Sequence, residues 1–235
     1  MPGFAGITPY IGAWPESIAQ STLDQKHPLG TRLTAYDTNG FFGTGEFVYA
    51  KTVPAIVQTG RVLQQPDYDG TVSDMVAGTL TGFGIVAGMG PMAANSFGWF
   101  QMSGLMVLQG ASIAIGAKIG YGAGVVAAFA AGNQLIGGKA VQPSTFAVVK
   151  ATGSRSQLGP KAISVNDISG LVVGLTVSGT GIAGGSKIAA IDPNGTTLNL
   201  DLATTGPVSG AITCTYTGFI LVSAPNGLIA QGAIT

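Results

Sequence analysis

Residues 31–51 read Thr-Arg-Leu-Thr-Ala-Tyr-Asp-Thr-Asn-Gly-Phe-Phe-Gly-Thr-Gly-Glu-Phe-Val-Tyr-Ala-Lys, and the pattern of these residues predicts the class of fold. Polar and apolar side chains alternate from Thr31 to Tyr36, which is the period of a strand with one buried face. A turn signal follows at 37–40, where Asn-Gly supplies the positive φ that a tight hairpin requires. A second run of strand-forming residues occupies 45–51. The stretch therefore predicts a β-hairpin.

The same pattern of short strands continues outward from the hairpin. Each candidate is about 4 to 12 residues long and is bounded by Gly, Pro or Asn, which is typical of a sandwich or barrel. No long stretch has the 3.6-residue period of an amphipathic helix. We therefore expect a mainly β chain with a barrel-like or sandwich-like domain over 31–150. Its further candidate strands are 55–62, 79–87, 98–109, 118–122, 125–130 and 146–150.

The composition changes near Ala151, after which aromatic residues almost vanish and Val, Ile, Thr, Ser and Gly dominate. This change predicts a second, small β-sandwich module over 151–218. Residues 219–235 form a C-terminal strand and tail. They either end the module or return to the first domain, and in the second case the module is an insertion. The candidate strands of the module are 162–165, 175–178, 186–191, 197–200 and 211–216.

Residues 1–30 are predicted to form an extended arm, because prolines and glycines recur too often for a regular helix or strand. The arm is nevertheless apolar, so we expect it to lie against its own domain, a second subunit or a partner. Its candidate interface residues are Phe4, Ile7, Tyr10 and Trp14.

The segment from Gly98 to Leu108 carries the densest bulk in the chain. If the strand runs unbroken, Trp99 faces one side and both Phe100 and Met102 face the other. Large residues on both faces indicate a strand that is covered on both sides. The cover is either a sandwich core or a core on one face and a subunit contact on the other, so these three residues are further interface candidates.

Charge and composition exclude several classes of function. Only 9% of residues are charged, and the ten basic and ten acidic residues cancel. Because no basic cluster occurs along the chain, we expect no nucleic-acid partner. We also expect no membrane partner, since the most apolar stretch, 113–131, is interrupted by Lys118 and four glycines. The N-terminus lacks the pattern of a secretory signal, which predicts synthesis in a cytoplasm.

The residues offer no constellation for catalysis. The single histidine, His27, has no nucleophile signature beside it, and the single cysteine, Cys214, lies in a strand-like run that predicts a buried thiol. The acidic group of Asp67, Asp69 and Asp74 lacks the spacing of a calcium loop. We therefore predict that the chain is not an enzyme and has no catalytic, cofactor or metal site.

Four segments together resemble the capsid decoration (cement) proteins of tailed bacteriophages. They are Leu-Gly-Thr-Arg-Leu-Thr-Ala-Tyr-Asp (29–37), Gly-Glu-Phe-Val-Tyr-Ala-Lys (45–51), Gly-Phe-Gly-Ile-Val-Ala (82–87) and Gly-Trp-Phe-Gln-Met-Ser-Gly-Leu (98–105). The match covers less than half of the chain. The module after Ala151 departs from the family's minimal pattern, and its role is either an outward ornament or a further clamp.

The resemblance implies a structural protein of the virion, placed on the outer surface of the capsid after synthesis in the host cytoplasm. It implies binding to the major capsid protein as a homotrimer at three-fold positions, where the trimer stabilises the shell. The alternative is a tail or fibre adhesin whose module from Ala151 binds a carbohydrate. Tyr216 and Phe219 are that module's candidate aromatic platforms.

Overall fold

The computed structural model describes residues 4–6, 21–37, 40–53, 55–56, 59–64, 70–75, 84–110, 113–142, 146–157, 159–192 and 196–232. This part of the chain contains strands and no helix, so the predicted mainly β class is confirmed. Accordingly, no membrane-spanning helix is found within it. The strands are β1 (Phe4–Gly6), β2 (Arg32–Asp37), β3 (Thr44–Thr52), β4 (Val62–Gln64), β5 (Thr71–Asp74), β6 (Gly84–Gly88), β7 (Phe97–Gln101), β8 (Gly104–Gln109), β9 (Lys118–Gly122), β10 (Val125–Ala128), β11 (Asn133–Gln142), β12 (Ala147–Gln157), β13 (Ala162–Val165), β14 (Thr176–Thr180), β15 (Ile188–Ile191), β16 (Thr197–Leu200), β17 (Ser209–Thr215), β18 (Phe219–Ala224) and β19 (Leu228–Gly232).

The chain divides into two compact units. The smaller unit is built on 145–217, and the larger unit comprises 4–37, 42–144 and 218–235. The smaller unit is thus inserted between two segments of the larger one, 42–144 and 218–235. Its start at 145 differs by six residues from the predicted 151, because β12 continues from Ala147 across that position.

The hairpin predicted from 31–51 is present in the larger unit. Strands β2 and β3 pair antiparallel, with Leu33 opposite Phe47 and Ala35 opposite Gly45. The connection is longer than a tight turn, since the Asp37 N–H donates to the Gly43 carbonyl at 2.7 Å. The Asp37 carboxylate also accepts a hydrogen bond from the Phe42 N–H at 3.0 Å, which holds this wider loop.

Strand β3 is covered on both faces. Large apolar side chains project from each of its faces, and such a strand must be packed on both sides. On one face Phe47 and Tyr49 pack with Leu33, Ala35 and Trp99. On the other face Val48 and Ala50 pack against another apolar cluster. That cluster contains Ile56, Leu63, Val72, Met92 and Phe100.

Two predicted strands are divided in the structure. The predicted strand 98–109 ends at Gln101 and resumes at Gly104, where φ is +98°. Strand β7 pairs with β3, whereas β8 pairs with β18, so the bend sends the chain to a new neighbour. The predicted strand 55–62 was wrong: a turn with Gly60 at φ +79° separates a bridge at Ile56 from β4.

The last described residues complete the sheet of the larger unit. Strand β18 lies between β8 and β11, and β19 lies between β6 and β11. The inward side chains of β18, among them Ile220 and Val222, are fully buried in a core cluster of this unit. Strand β11, which the sequence patterns did not predict, is therefore central to the sheet.

The smaller unit is a single sheet of six strands in the order β14-β17-β12-β13-β16-β15. Backbone hydrogen bonds join its first and last strands, with Val177 N–H donating to Ser186 at 2.8 Å and Ile188 N–H donating to Leu175 at 3.0 Å. The sheet thereby closes on itself as a small barrel. Alternate side chains such as Leu198 and Leu200 point inward and are buried.

Candidate interaction surface

The structure places Trp99 and Phe100 inside the larger unit, at 4% and 0% exposure. Each ring belongs to one of the two clusters that cover β3, and Met102 is partly buried against the Phe100 cluster. The large side chains of this segment therefore pack within the chain. An interface role for these three residues stays a prediction, and the burial of the two rings does not favour it.

Both described parts of the predicted arm, 4–6 and 21–30, contact its own unit. Phe4 lies in β1, which pairs antiparallel with the edge of β2. Thr22 exchanges two backbone hydrogen bonds with Phe97, and the His27 ring packs 5.0 Å from the Tyr49 ring between their centroids. The other arm candidates, Ile7, Tyr10 and Trp14, lie outside the described residues.

An exposed apolar patch lies on the outer face of β9, β11 and β19. Ile136 and Ile229 are directly opposite one another across β11 and β19, and they are 45% and 51% exposed. Phe129 is 44% exposed and lies next to the same face. Its Cα is 3.4 Å from the position that a Cβ on Gly120 of β9 would occupy. We call Phe129, Ile136 and Ile229 the outer apolar patch.

Two lysines border the outer apolar patch. Lys118 and Lys139 are cross-strand partners on β9 and β11, and both side chains are exposed. The Lys118 ammonium lies 5.7 Å from the centroid of the Phe129 ring, within the range of a cation–π contact. Neither lysine forms an ion pair with any described residue. The surface here combines apolar anchors with positive charge.

A polar pocket of about 400 Å³ opens elsewhere on the larger unit. Among the lining residues that the structure describes, the only charged group is the Glu46 carboxylate, which accepts a hydrogen bond from the Ser103 hydroxyl at 3.3 Å. Hydroxyl groups supply most of the remaining polar lining. The other lining residues are Thr34, Thr44, Gly45, Gly104, Leu105, Ser223 and Pro225.

The wall of this pocket is held rigidly by the bend between β7 and β8. The Met102 N–H donates to the Glu46 carbonyl at 2.7 Å, and the buried Gln101 amide donates to the carbonyls of Ser103 and Leu105 at 3.0 and 3.1 Å. Gly104 lets the bend approach closely, since a Cβ there would lie 2.5 Å from the Thr44 carbonyl oxygen. The carboxylate of Glu46 is thus presented from a fixed backbone.

The smaller unit contains a buried lysine that is neutralised internally. The Lys150 ammonium, whose side chain is 8% exposed, donates to the Asp167 carboxylate and lies 2.9 Å from the Ser169 hydroxyl. Partial burial opposes ionisation of Asp167, but the hydrogen bonds from Lys150 and Ser169 outweigh it and lower the pKa of Asp167 to about 2. The Lys150 side chain is thus paired with Asp167 and Ser169 inside its own unit.

The predicted carbohydrate platforms are buried. Tyr216 is 0% exposed, stacks on Phe146 with ring centroids 4.0 Å apart, and donates to the Gly170 carbonyl. Phe219 lies in β18 of the larger unit and is 6% exposed. Cys214 is also buried as predicted, and desolvation raises its pKa to about 11.

Among the residues that the structure describes, no group of three or more His, Cys, Asp or Glu side chains could hold a metal ion. Asp74, one member of the acidic group noted in the sequence, is occupied by Arg61 through hydrogen bonds of 3.0 and 2.6 Å. The other two members, Asp67 and Asp69, lie outside the described residues.

The sequence patterns missed the outer apolar patch for a physical reason. Ile136 and Ile229 are 93 positions apart by their residue numbers, and only the pairing of β11 with β19 brings them together. The sequence did contain one signal for the lysines that border the patch. No acidic residue occurs between Asp74 and Asp167, so no carboxylate lies near Lys118 or Lys139 in the sequence.

Comparisons with known proteins found no matching family model, no matching curated protein and no matching solved structure.

Proposed function

We propose that this chain is a structural capsid decoration protein that binds the outer surface of a phage head as a homotrimer and stabilises the shell. The observation that carries the proposal is the outer apolar patch on a chain with only 9% charged residues. Soluble monomers rarely expose contiguous apolar patches larger than a few hundred Å², and one role of such a patch is contact with another protein. The resemblance of residues 29–105 to decoration proteins supplies the identity of that partner as the major capsid protein.

The physical basis of the function is mass action. A ligand that binds only the assembled shell stabilises it by an amount set by its affinity and free concentration. Ile136, Ile229 and Phe129 are suited to act as anchors, because a few side chains that become desolvated at the centre of an interface carry most of its binding free energy. Since many copies bind one shell, a moderate affinity for each site is sufficient.

Co-sedimentation with undecorated phage heads tests the proposal. The wild-type chain is expected to sediment with the heads at micromolar concentration. The double variant Ile136→Ser/Ile229→Ser removes two anchors, and we expect it to bind at least about tenfold more weakly, which corresponds to about 1.4 kcal/mol. The matched control Val149→Ser/Leu202→Ser removes two exposed apolar side chains, 64% and 43% exposed, from the smaller unit.

The outcomes separate the function from the surface that is assigned to it. Failure of the wild-type chain to sediment with the heads would contradict the decoration function. Equal binding by wild type, double variant and control would contradict the assignment to the outer apolar patch alone. The adhesin alternative stays a prediction, and the burial of Tyr216 and Phe219 does not favour it.

A further inference from the structure

The polar pocket is large enough to hold a small molecule. Its volume of about 400 Å³ lies within the range of about 300–1,000 Å³ that is typical of small-molecule sites. Strands β2 and β3 form one side, and the bend between β7 and β8 forms another. Because backbone hydrogen bonds hold this bend against β3, the pocket exists before a ligand arrives. A preformed pocket loses less free energy to ordering when a ligand binds.

Most polar groups of the pocket are uncharged hydroxyls. Thr34, Thr44 and Ser223 contribute three of them, and none of the three is hydrogen-bonded to a residue that the structure describes. A hydroxyl can donate one hydrogen bond and accept others, so each can pair with a ligand hydroxyl in either direction. The pocket is therefore matched to a ligand that itself carries several hydroxyl groups.

Charges of both signs lie close to these hydroxyls. Glu46 belongs to the lining, and Ser223 is directly opposite Lys139 across β18 and β11. Cross-strand partners project from the same face with their Cβ atoms about 5 Å apart, so the exposed lysine lies beside the pocket. A cationic ligand meets Lys139, and an anionic ligand meets Glu46. An uncharged ligand avoids both repulsions and can donate hydroxyl protons to the carboxylate.

An exposed aromatic side chain lies next to the hydroxyls. Tyr36 is directly opposite Thr44 across β2 and β3 and is two positions from Thr34 along β2. Its side chain therefore projects from the same face as these two threonines, and it is 45% exposed. The face of an aromatic ring is electron-rich and attracts the slightly positive C–H groups of a sugar ring. A pyranose offers both a C–H face and an edge of hydroxyl groups.

We propose that the polar pocket binds an uncharged saccharide unit. The hydroxyl groups of the sugar donate to Glu46 and exchange hydrogen bonds with the three pocket hydroxyls, while one C–H face stacks on Tyr36. The Ser103 hydroxyl, which donates to Glu46 at 3.3 Å, holds the carboxylate in place. This site is separate from Tyr216 and Phe219, which are buried. It also goes beyond the proposed function, because attachment to a shell does not require it.

Saturation-transfer NMR on the purified full-length chain tests the site. The probes are the methyl glycosides of glucose, galactose, mannose and N-acetylglucosamine, each titrated to about 100 mM. Wild type should bind at least one of them with a Kd of about 1 mM or below, the strength expected of a few hydrogen bonds and one stacked ring. The C–H protons of the stacked face should receive the most saturation.

Two pocket variants have matched controls. Glu46→Gln should weaken binding at least about tenfold, because hydrogen bonds to a charged group are the stronger ones. Asp24→Asn neutralises another carboxylate, 88% exposed and outside the lining, and should bind like wild type. Tyr36→Ala should weaken binding at least about threefold. Phe129→Ala removes a ring of similar exposure outside the lining and should have no effect. Circular dichroism checks that each variant is folded.

Butylammonium chloride is the probe for a cationic ligand. Butylammonium binding that Glu46→Gln abolishes, with no glycoside bound, would overturn the ligand class. Failure of all four glycosides to bind at about 100 mM would overturn the inference, as would binding that both pocket variants leave unchanged. Co-sedimentation with phage heads is a separate measurement, so a chain that binds a glycoside but no heads would contradict the decoration function only.

Discussion

At the scale of single residues, one carboxylate controls how the smaller unit responds to acid. The pKa of Asp167 is lowered to about 2 in the folded chain, below its ordinary value of 3.8. A carboxyl group whose pKa is lowered by folding stabilises the folded state at pH values above its pKa in the unfolded chain. This stabilisation is lost as the pH falls through its pKa in the folded chain. We therefore expect the free energy of unfolding of the smaller unit, measured in urea, to fall as the pH is lowered from about 5 to about 2. Asp167→Asn should remove this part of the pH dependence, and an identical acid profile in the variant would contradict the assignment.

The two partners of this ion pair should differ in their cost on substitution. Asp167→Asn leaves the buried ammonium of Lys150 without an anionic partner, and we expect a loss of about 1 to 3 kcal/mol after allowance for the half-exposed aspartate. Lys150→Met leaves Asp167 free to be hydrated and should cost under about 1 kcal/mol. Urea unfolding at pH 7 measures both. A larger loss for Lys150→Met would show that the lysine's packing matters more than its charge.

Cys214 gives a chemical probe of the same unit. Because burial raises the thiol pKa to about 11, less than one thiol in a thousand is ionised at pH 7 in the folded chain. The thiolate is the reactive species, so alkylation should be slow in buffer and fast in denaturing urea. The rate of iodoacetamide labelling, followed by mass spectrometry, checks this expectation. Rapid labelling of the folded protein would contradict it.

At the scale of elements, the bend between β7 and β8 depends on Gly104. Gly104→Ala places a Cβ about 2.5 Å from the Thr44 carbonyl oxygen and retains a positive φ. Gly116→Ala is the control, since φ is +77° there and nothing lies within 4 Å. We expect about 1 kcal/mol of destabilisation at Gly116 and at least about 2 kcal/mol more at Gly104. Thermal unfolding measures both, and equal costs would show that the bend can shift.

Local patterns predicted the elements whose pairing is also local. The β2–β3 hairpin, β9, β13 and β16 follow from alternation and from glycine or proline at their ends. Strand β11 was missed because two glycines, Gly137 and Gly138, interrupt its apolar pattern. Both are needed for close approach: a Cβ on Gly137 would lie 2.3 Å from the Gly227 carbonyl oxygen. The break at Met102 was missed because the strand changes partners there, and a partner cannot be read from one segment.

At the scale of the whole molecule, the smaller unit leaves and re-enters the larger one between adjacent strands. Gln142 near the end of β11 is paired with Leu221 near the start of β18. Replacement of 146–217 by a short Gly-Ser linker should therefore leave the larger unit folded. We expect a β-type circular dichroism spectrum and a cooperative thermal transition from the shortened chain. An unfolded product would show that the larger unit needs the insertion.

The candidate surface was less predictable than the fold for the same reason. Composition indicated that apolar area is covered by a partner, but the placement of Ile136 opposite Ile229 and of Lys118 opposite Lys139 arises from pairing between distant strands. The aromatic residues that were conspicuous in the sequence, Trp99 and Phe100, are used in the core. Large aromatic residues in a sequence therefore indicate buried positions more reliably than they indicate contacts with partners.

The late position of β18 and β19 also sets the order of events during translation. The barrel of 146–217 is contiguous, so it can form as soon as it leaves the ribosome. The sheet of the larger unit is completed later, because β8, β6 and β11 each lack one paired neighbour until 219–232 have been synthesised. During that interval the nascent chain exposes unpaired strand edges, which are prone to aggregation. Rapid completion of each polypeptide therefore protects it.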